Sequence, residues 1–338
     1  MTRSADDLNR RALLRAGAAL AAGAAAAPAA AADPAPSAPD LTGKSVLITG
    51  SSSGFGRLSA LHLARSGATV IASMRNLKGG KRPEAQELLD TASDEKLRLT
   101  VVDIDVTDDA LVASGVAAAE ETAGGGLDAV LSNAGIAIAG PVELHDHAQT
   151  YKQFDVNLFG SLRMARAAAP GMRAKGEGVI MPVSSQLGRF LFPNIGVYSS
   201  TKFALEAAFE AMAYEFAPSG VEVTIIQPGG YPTKIWENGS RYTAEMLDAA
   251  DAERKEAYAA HVAMTNGMMS GDPWTTDPMD IPRAVADIMA RPAGQRPLRV
   301  AVAPDTRGVD AINAVSAEVQ KNVLSEGPYE KWRSAVAD

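Results

Sequence analysis

The 338 residues include no cysteine. Disulfides, thiol nucleophiles and cysteine-based metal sites are excluded, so an apolar core has to hold the fold unaided, and about 300 residues suffice for that. Histidine is nearly as scarce, with four copies. His145 and His147 flank Asp146 in a metal-like arrangement, but no third ligand stands near them in sequence, and the pattern reads as a solvated helix start. His62 and His261 are isolated on helical stretches and read as packing or surface residues. Positive charge is in deficit: 32 Lys and Arg against 40 Asp and Glu give a net charge of −8, which argues against a nucleic-acid partner. A strongly apolar run is also lacking. The alanine-rich stretch before Asp33 contains Pro28 and is weakly apolar, whereas a spanning helix needs roughly 20 strongly apolar residues.

What that stretch does contain is the pair Arg10 and Arg11, then Leu13, Leu14 and Leu20 among alanines, and finally PAAAAD. A polar start, a mild apolar core and small residues at Ala30 and Ala32 compose an export signal over residues 1–32, with cleavage expected after Ala32. It resembles the twin-arginine signal, whose route carries proteins already folded. The mature protein is therefore expected in the periplasm, with a membrane anchor formed by an uncleaved signal as the alternative. Residues 33–40, DPAPSAPD, read as a linker. From Leu41 to Asp338 no second linker interrupts the chain, so one domain is expected over 41–338.

From Ser45 onward, short β-branched runs alternate with alanine-rich amphipathic stretches: SVLITG, ATVIAS, LRLTVVDID, LDAVLSNAG, GVIMPVSS, VEVTIIQPGG and LRVAVAP. Strand, helix and strand in repetition predict an α/β fold whose parallel sheet has helices on both faces. The runs are almost wholly apolar, as strands covered on both sides are. The expectation is a Rossmann-type doubly wound fold with a seven-stranded parallel sheet, whose chemistry should lie beyond the carboxyl ends of the strands. Pro182, three residues before Ser185, sits in what should be a central strand and cannot donate to a ladder. It is expected where neighbouring strands have already ended, and it leaves the placement of Ser185 open.

The first strand runs into TGSSSGFG. Gly50 permits a tight turn, Gly54 a close approach of backbone to a pyrophosphate, and Gly56 close packing of helix on strand, with the helix N-terminus facing the negative charge. At the end of the second strand Met74 stands where an enzyme preferring the unphosphorylated dinucleotide carries an acid, and Arg75 follows. Together with Ser53, Arg75 suits a 2′-phosphate, so NADP(H) is expected over NAD(H). Asp105 and Val106 close the third run and either bracket the adenine or make a turn. Tyr198 and Lys202, four apart, share a helix face, and Ser185 ends the preceding strand. An ammonium beside a phenol favours the phenolate, so the three supply an acid/base, its tuner and a donor to a carbonyl oxygen.

These motifs together resemble the short-chain dehydrogenase/reductase family along nearly the whole mature chain. TGSSSGFG, beginning at Thr49, fits its TGxxxGxG turn; Asn133, Ala134 and Gly135 fit its NAG; Asn157 in DVNLFG fits its asparagine. Ser185, Tyr198 and Lys202 fit its Ser and YxxxK, and Pro228, Gly229 and Thr233 fit its PGxxxT loop. The resemblance implies that Tyr198 protonates a carbonyl or deprotonates an alcohol, that Lys202 also binds the nicotinamide ribose, and that Asn157 holds a proton-relaying water. It implies that the PGxxxT loop touches nicotinamide and phosphates, and that a homodimer or homotetramer pairs through helices around Val156–Arg173 and Ser199–Ala217. The stretch ASMRNLKG further resembles the steroid and retinol dehydrogenase branch.

Between Gly230 and Met279, Tyr231, Trp236, Tyr242, Met246, Met264, Met268, Met269 and Trp274 suggest a helical lid over the site, the alternative being a helical core patch. With Phe190, Leu191 and Phe192 they favour an apolar substrate. The expected function is an NADP(H)-dependent oxidoreductase acting on an apolar secondary alcohol, ketone or aldehyde, with an unknown partner recycling the cofactor. The alternative is an exported protein that keeps the fold and binds a dinucleotide or apolar ligand without turnover. Epimerase or dehydratase chemistry is disfavoured because the TGxxGxxG turn is absent.

Overall fold

Alternate residues of each strand run leave on opposite faces, and this period of two builds two cores on one sheet. The computed structural model describes residues 38–77, 82–270 and 275–336. The export signal expected at 1–32, and the linker up to Ser37, lie outside the described residues. Strands β1 (Ser45–Ile48), β2 (Thr69–Met74), β3 (Leu99–Asp103), β4 (Ala129–Ser132), β5 (Gly178–Pro182) and β6 (Val221–Val223) form a parallel sheet in the order 3-2-1-4-5-6. A parallel pair, β7 (Ile225–Pro228) with β8 (Arg299–Val302), continues it.

The helices between them are α1 (Gly54–Arg65), α2 (Pro83–Asp94), α3 (Asp109–Ala123), α4 (His147–Phe154), α5 (Gly160–Lys175) and α6 (Gly196–Phe216). Beyond β7 come α7 (Lys234–Ala249), α8 (Ala252–Ala257), α9 (Ala259–Ser270), α10 (Asp280–Ala290), α11 (Val309–Val323) and α12 (Glu330–Ser334). Val46, Ile48, Val70 and Leu131 pack under α1, α2 and α10, while Leu47, Ile71, Val130 and Ile180 pack under α3, α5 and α6. The doubly wound arrangement inferred from the runs is therefore present, with helices on both faces.

The seven-strand expectation needs one correction. The sixth run, VEVTIIQP, is divided at Thr224 into β6 and β7, and the main sheet has six strands. The cause lies across the ladder at Pro182. Residues 180, 182 and 184 of the β5 segment face the β6–β7 run: Thr224 N donates to Ile180 O at 3.0 Å and Ser184 N to Ile226 O at 2.7 Å. Between those two rungs, the donor that Thr224's carbonyl requires is the N–H that Pro182 lacks. Pro182 is thus the last residue of β5, opposite Ser132 at the end of β4 and two residues past the last pair with β6, Ile180 with Val223, so the expectation that a neighbouring strand has already ended there holds on the β6 side. Two bonds just after it, Val183 N to Ser132 O at 3.0 Å and the Ser184 bond, fix the approach to Ser185 from both sides.

Candidate active site

Four strand ends converge on one cleft. β1 leads into Thr49 and Gly50, β4 into Asn133, β5 into Ser185 and β7 into Gly229. The turn after β1 is tied to the turn after β4 through Thr49. Its hydroxyl accepts from Asn133 N and Ala134 N, both at 3.0 Å, and the Asn133 side-chain amide donates to Thr49 O at 2.9 Å. Gly50 and Gly54 adopt the left-handed region, at φ +71° and +54°. A Cβ at Gly56 would lie 2.4 Å from Gly50 O, so only glycine lets α1 start this close to β1. Ser53 is the N-cap of α1 and makes no side-chain cap bond, so its side chain claims none of the first-turn N–H groups. A cradle with glycine-permitted backbone and unclaimed donors at a helix N-terminus suits a pyrophosphate. Thr233, the N-cap of α7, comes to the same place, since a Cβ at Gly54 would meet its Cβ at 3.4 Å. Gly229 is packed against Ala303 and Gln186.

The catalytic candidates gather at the other end of the cleft. Asn157 lies in a π-helical turn, Asp155–Phe159, between α4 and α5, the kind of bulge that often marks functional sites. It is fully buried, and its amide is spent on structure. Its Nδ2 donates to Ile136 O at 2.9 Å and Thr201 Oγ1 at 3.0 Å, and its Oδ1 accepts from Ile136 N at 2.8 Å. Thr201 Oγ1 donates in turn to Tyr198 O at 2.7 Å. Thr201 thus couples Asn157 to the catalytic helix; the sequence reading missed it, and the available signal was its place inside YSSTK. Gly135 stands between the two sides of the cleft, a Cβ there being 3.4 Å from Asn157 Oδ1 and 4.0 Å from Lys202 Nζ.

Ser185 Oγ accepts from Leu187 N at 3.1 Å, which frees its proton for the Tyr198 oxygen, to which it is hydrogen-bonded. Lys202 Nζ donates to Val183 O at 2.8 Å and lies 5.6 Å from the centre of the Tyr198 ring. Burial pushes the Tyr198 phenol up to about 12, only partly opposed by Ser185, and pushes Lys202 down to about 8, opposed by the charge of Glu206. The expected ammonium-stabilised phenolate is therefore not what the free protein holds. Burial of the phenol sets the direction, and the ammonium is seated on the Val183 carbonyl beside the ring, 5.6 Å from its centre. At neutral pH the site presents a protonated phenol and a charged lysine.

The remaining candidates divide. Asp105 lies two residues past β3, and its carboxylate accepts from Thr107 N at 3.0 Å and Thr107 Oγ1 at 2.7 Å, which is the turn reading. Val106 is buried against Gly160. Arg75 is exposed at the end of β2, and its guanidinium hydrogen-bonds the Tyr242 hydroxyl on α7. Lys152 and Arg241 lie over the Tyr242 ring, 4.2 Å and 4.4 Å from its centre, so three cations surround this phenol. In the region expected to be a lid, Tyr231, Tyr242 and Met246 are buried and Met264 is exposed. The Met268 and Met269 side chains, and Trp274, lie outside the described residues. Both ring nitrogens of His145 face backbone carbonyls, of Pro141 and Ile138, and Asp146 caps α4 in a capping box with Gln149. A cavity of about 340 Å³ lined by Asp40, Lys44, Glu177 and Arg291 opens at the amino ends of the strands, away from this chemistry.

Residues 44–243 match the short chain dehydrogenase family. A 3-ketodihydrosphingosine reductase of Bacteroides thetaiotaomicron is 31% identical over 261 residues, 77% of this chain and 87% of that protein. Human retinol dehydrogenase 8 is 35% identical over 197 residues, 57% of this chain and 60% of that protein. A glycine betaine reductase of Emericella nidulans is 34% identical over 243 residues, 68% of this chain, but the match spans only 19% of that longer protein. The crystal structure of a short-chain dehydrogenase from Streptomyces avermitilis superposes with a TM-score of 0.64 at 28% identity, covering 83% of this chain and 96% of that one.

Proposed function

Because the chain belongs to the short-chain dehydrogenase family, we propose that it transfers a hydride between NADP(H) and an apolar secondary alcohol or ketone, or an aldehyde. The observation that carries the reading is Tyr198, hydrogen-bonded to Ser185 and one helical turn before Lys202, in the same cleft as the glycine cradle. When bound, the nicotinamide supplies or accepts the hydride. In the reducing direction Ser185 orients the carbonyl oxygen, and Tyr198 gives that oxygen its proton as hydride reaches the carbon. Lys202 holds positive charge beside the phenolate left behind. A phenol that stays protonated at neutral pH suits reduction in particular. Arg75, with Met74 in place of an acid, supports NADP(H), and the Gly50–Gly56 turn and Thr233 would hold the phosphates.

Apolarity of the substrate is supported by what surrounds the phenol. Ala137, Ala139 and Ile195 are buried with Tyr198, and Leu187, Ile235 and Trp236 pack on them. The names of two relatives, referring to retinol and to 3-ketodihydrosphingosine, point the same way. Tyr198→Phe tests the reading. Turnover in a screen of hydrophobic ketones with NADPH should fall by roughly 10²–10⁴-fold, the usual worth of a positioned acid, while NADPH binding followed by fluorescence survives. Unchanged turnover would refute the role of Tyr198, and a screen answered only by short charged sugars would refute the substrate class.

A further inference from the structure

The catalytic face of α6 continues past the lysine. Tyr198, Lys202, Glu206 and Glu210 follow one another at intervals of four, one above the next on the helix. Glu206 is only 2% exposed, and an uncompensated carboxylate at such depth is costly. It is compensated on two sides: Arg299 Nε of β8 donates to its Oε2 at 2.8 Å, and Gln227 Nε2 of β7 donates to its Oε1 at 3.0 Å. Arg299 also donates to Glu210 at 2.6 Å, and Gln227 accepts from Asn313 of α11 at 2.7 Å. The stem of Glu206 is wedged beside Gly188, where a Cβ would stand 3.1 Å from its Cγ and 2.9 Å from Ser184 Oγ. The charged groups that face Glu206 are Lys202 on its own helix, Arg299 on β8 and Arg189 on the loop after Ser185, with Glu210 sharing Arg299.

We propose that Glu206 is a positioning residue: clamped by Arg299 and Gln227, its fixed carboxylate keeps Lys202 charged and seated on the Val183 carbonyl at the pH where the enzyme works. The proposal rests on the hydride-transfer reading given above. It explains why a carboxylate is placed one turn below the lysine at a buried position, although a neutral side chain would avoid the cost of burial. The charge of Glu206 opposes the desolvation that lowers Lys202, and the second glutamate leaves Arg299 fully paired while it does so.

The test is the pH profile of kcat/KM for NADPH-dependent carbonyl reduction, measured with NADPH affinity by fluorescence over the same range. In the wild type, activity should fall as pH rises through about 8, where Lys202 loses its proton before Tyr198 does. In Glu206→Gln that fall should move to lower pH by about one unit, a roughly tenfold loss on the alkaline side, with NADPH affinity weakening over the same interval. Glu210→Gln, two turns beyond the lysine, should lower the melting temperature and leave the profile in place. Glu206→Asp, which keeps the charge but withdraws it by one methylene, should shift the profile less and in the same direction, and serves if the glutamine variant does not fold. A Glu206 variant that folds with an unmoved alkaline fall has a structural role only, and the proposal is overturned. Full turnover in Tyr198→Phe would instead remove the reading on which it rests.

Discussion

A methyl group at Gly56 would stand 2.4 Å from the Gly50 carbonyl oxygen and 2.6 Å from the Asn133 amide nitrogen. Neither neighbour yields easily, since one is backbone in the turn and the other is held by its bond to Thr49 O. Gly56→Ala should therefore cost on the order of 1–3 kcal/mol, as overpacking does, and should push the turn away from the shape that receives a pyrophosphate. Thermal unfolding and an NADPH fluorescence titration check it. A variant with wild-type melting and affinity would show that the cradle tolerates a Cβ. This residue was legible beforehand, because a glycine at that spacing has a steric job that does not depend on distant parts of the chain. Glu206 was not legible. Its meaning comes from Arg299 and Gln227, both brought to it by the sheet, and a glutamate on an alanine-rich helix reads as solvated surface until burial is known.

At the scale of elements, the strand runs were readable because a doubly covered parallel strand is apolar on both faces. The division at Thr224 was not, because it depends on which way Pro182 faces, and that follows from register with two neighbours. The π turn at Asp155–Phe159 likewise carries no sequence mark that the periodicity reading used. Arg75 stands between these cases. Its position after β2 was legible, but its bond to Tyr242 joins two elements far apart in the chain. If Arg75 reads a 2′-phosphate, it must exchange the Tyr242 hydroxyl for the phosphate when the cofactor arrives. Arg75→Ala should then weaken NADPH binding by roughly ten- to a hundredfold, the worth of a bond to a charged group, and leave NADH binding nearly unchanged. Comparing the two dissociation constants by fluorescence decides it, and equal losses for both cofactors would mean that Arg75 only fastens α7.

For the whole molecule, a core on each face of the sheet has to supply all the stability, since there is no cysteine to cross-link it. We propose that this fold closes around NADP(H) before export and leaves the cytoplasm with the cofactor bound, which is what a twin-arginine signal at Arg10 and Arg11 would permit. Binding to the native state alone stabilises it by mass action, so a loaded protein crosses as a more resistant body than an empty one. Two measurements on the full chain separate the parts of this idea. Replacing both arginines by lysine should hold the protein in the cytoplasm, and its presence in the exported fraction despite the change would show that the pair is not the signal. Mass spectrometry of nucleotide released from exported wild-type protein should find NADP(H) in near-equal amount. An exported protein that is folded but empty would mean that the cofactor is met outside, and the paired arginines would then need another reason.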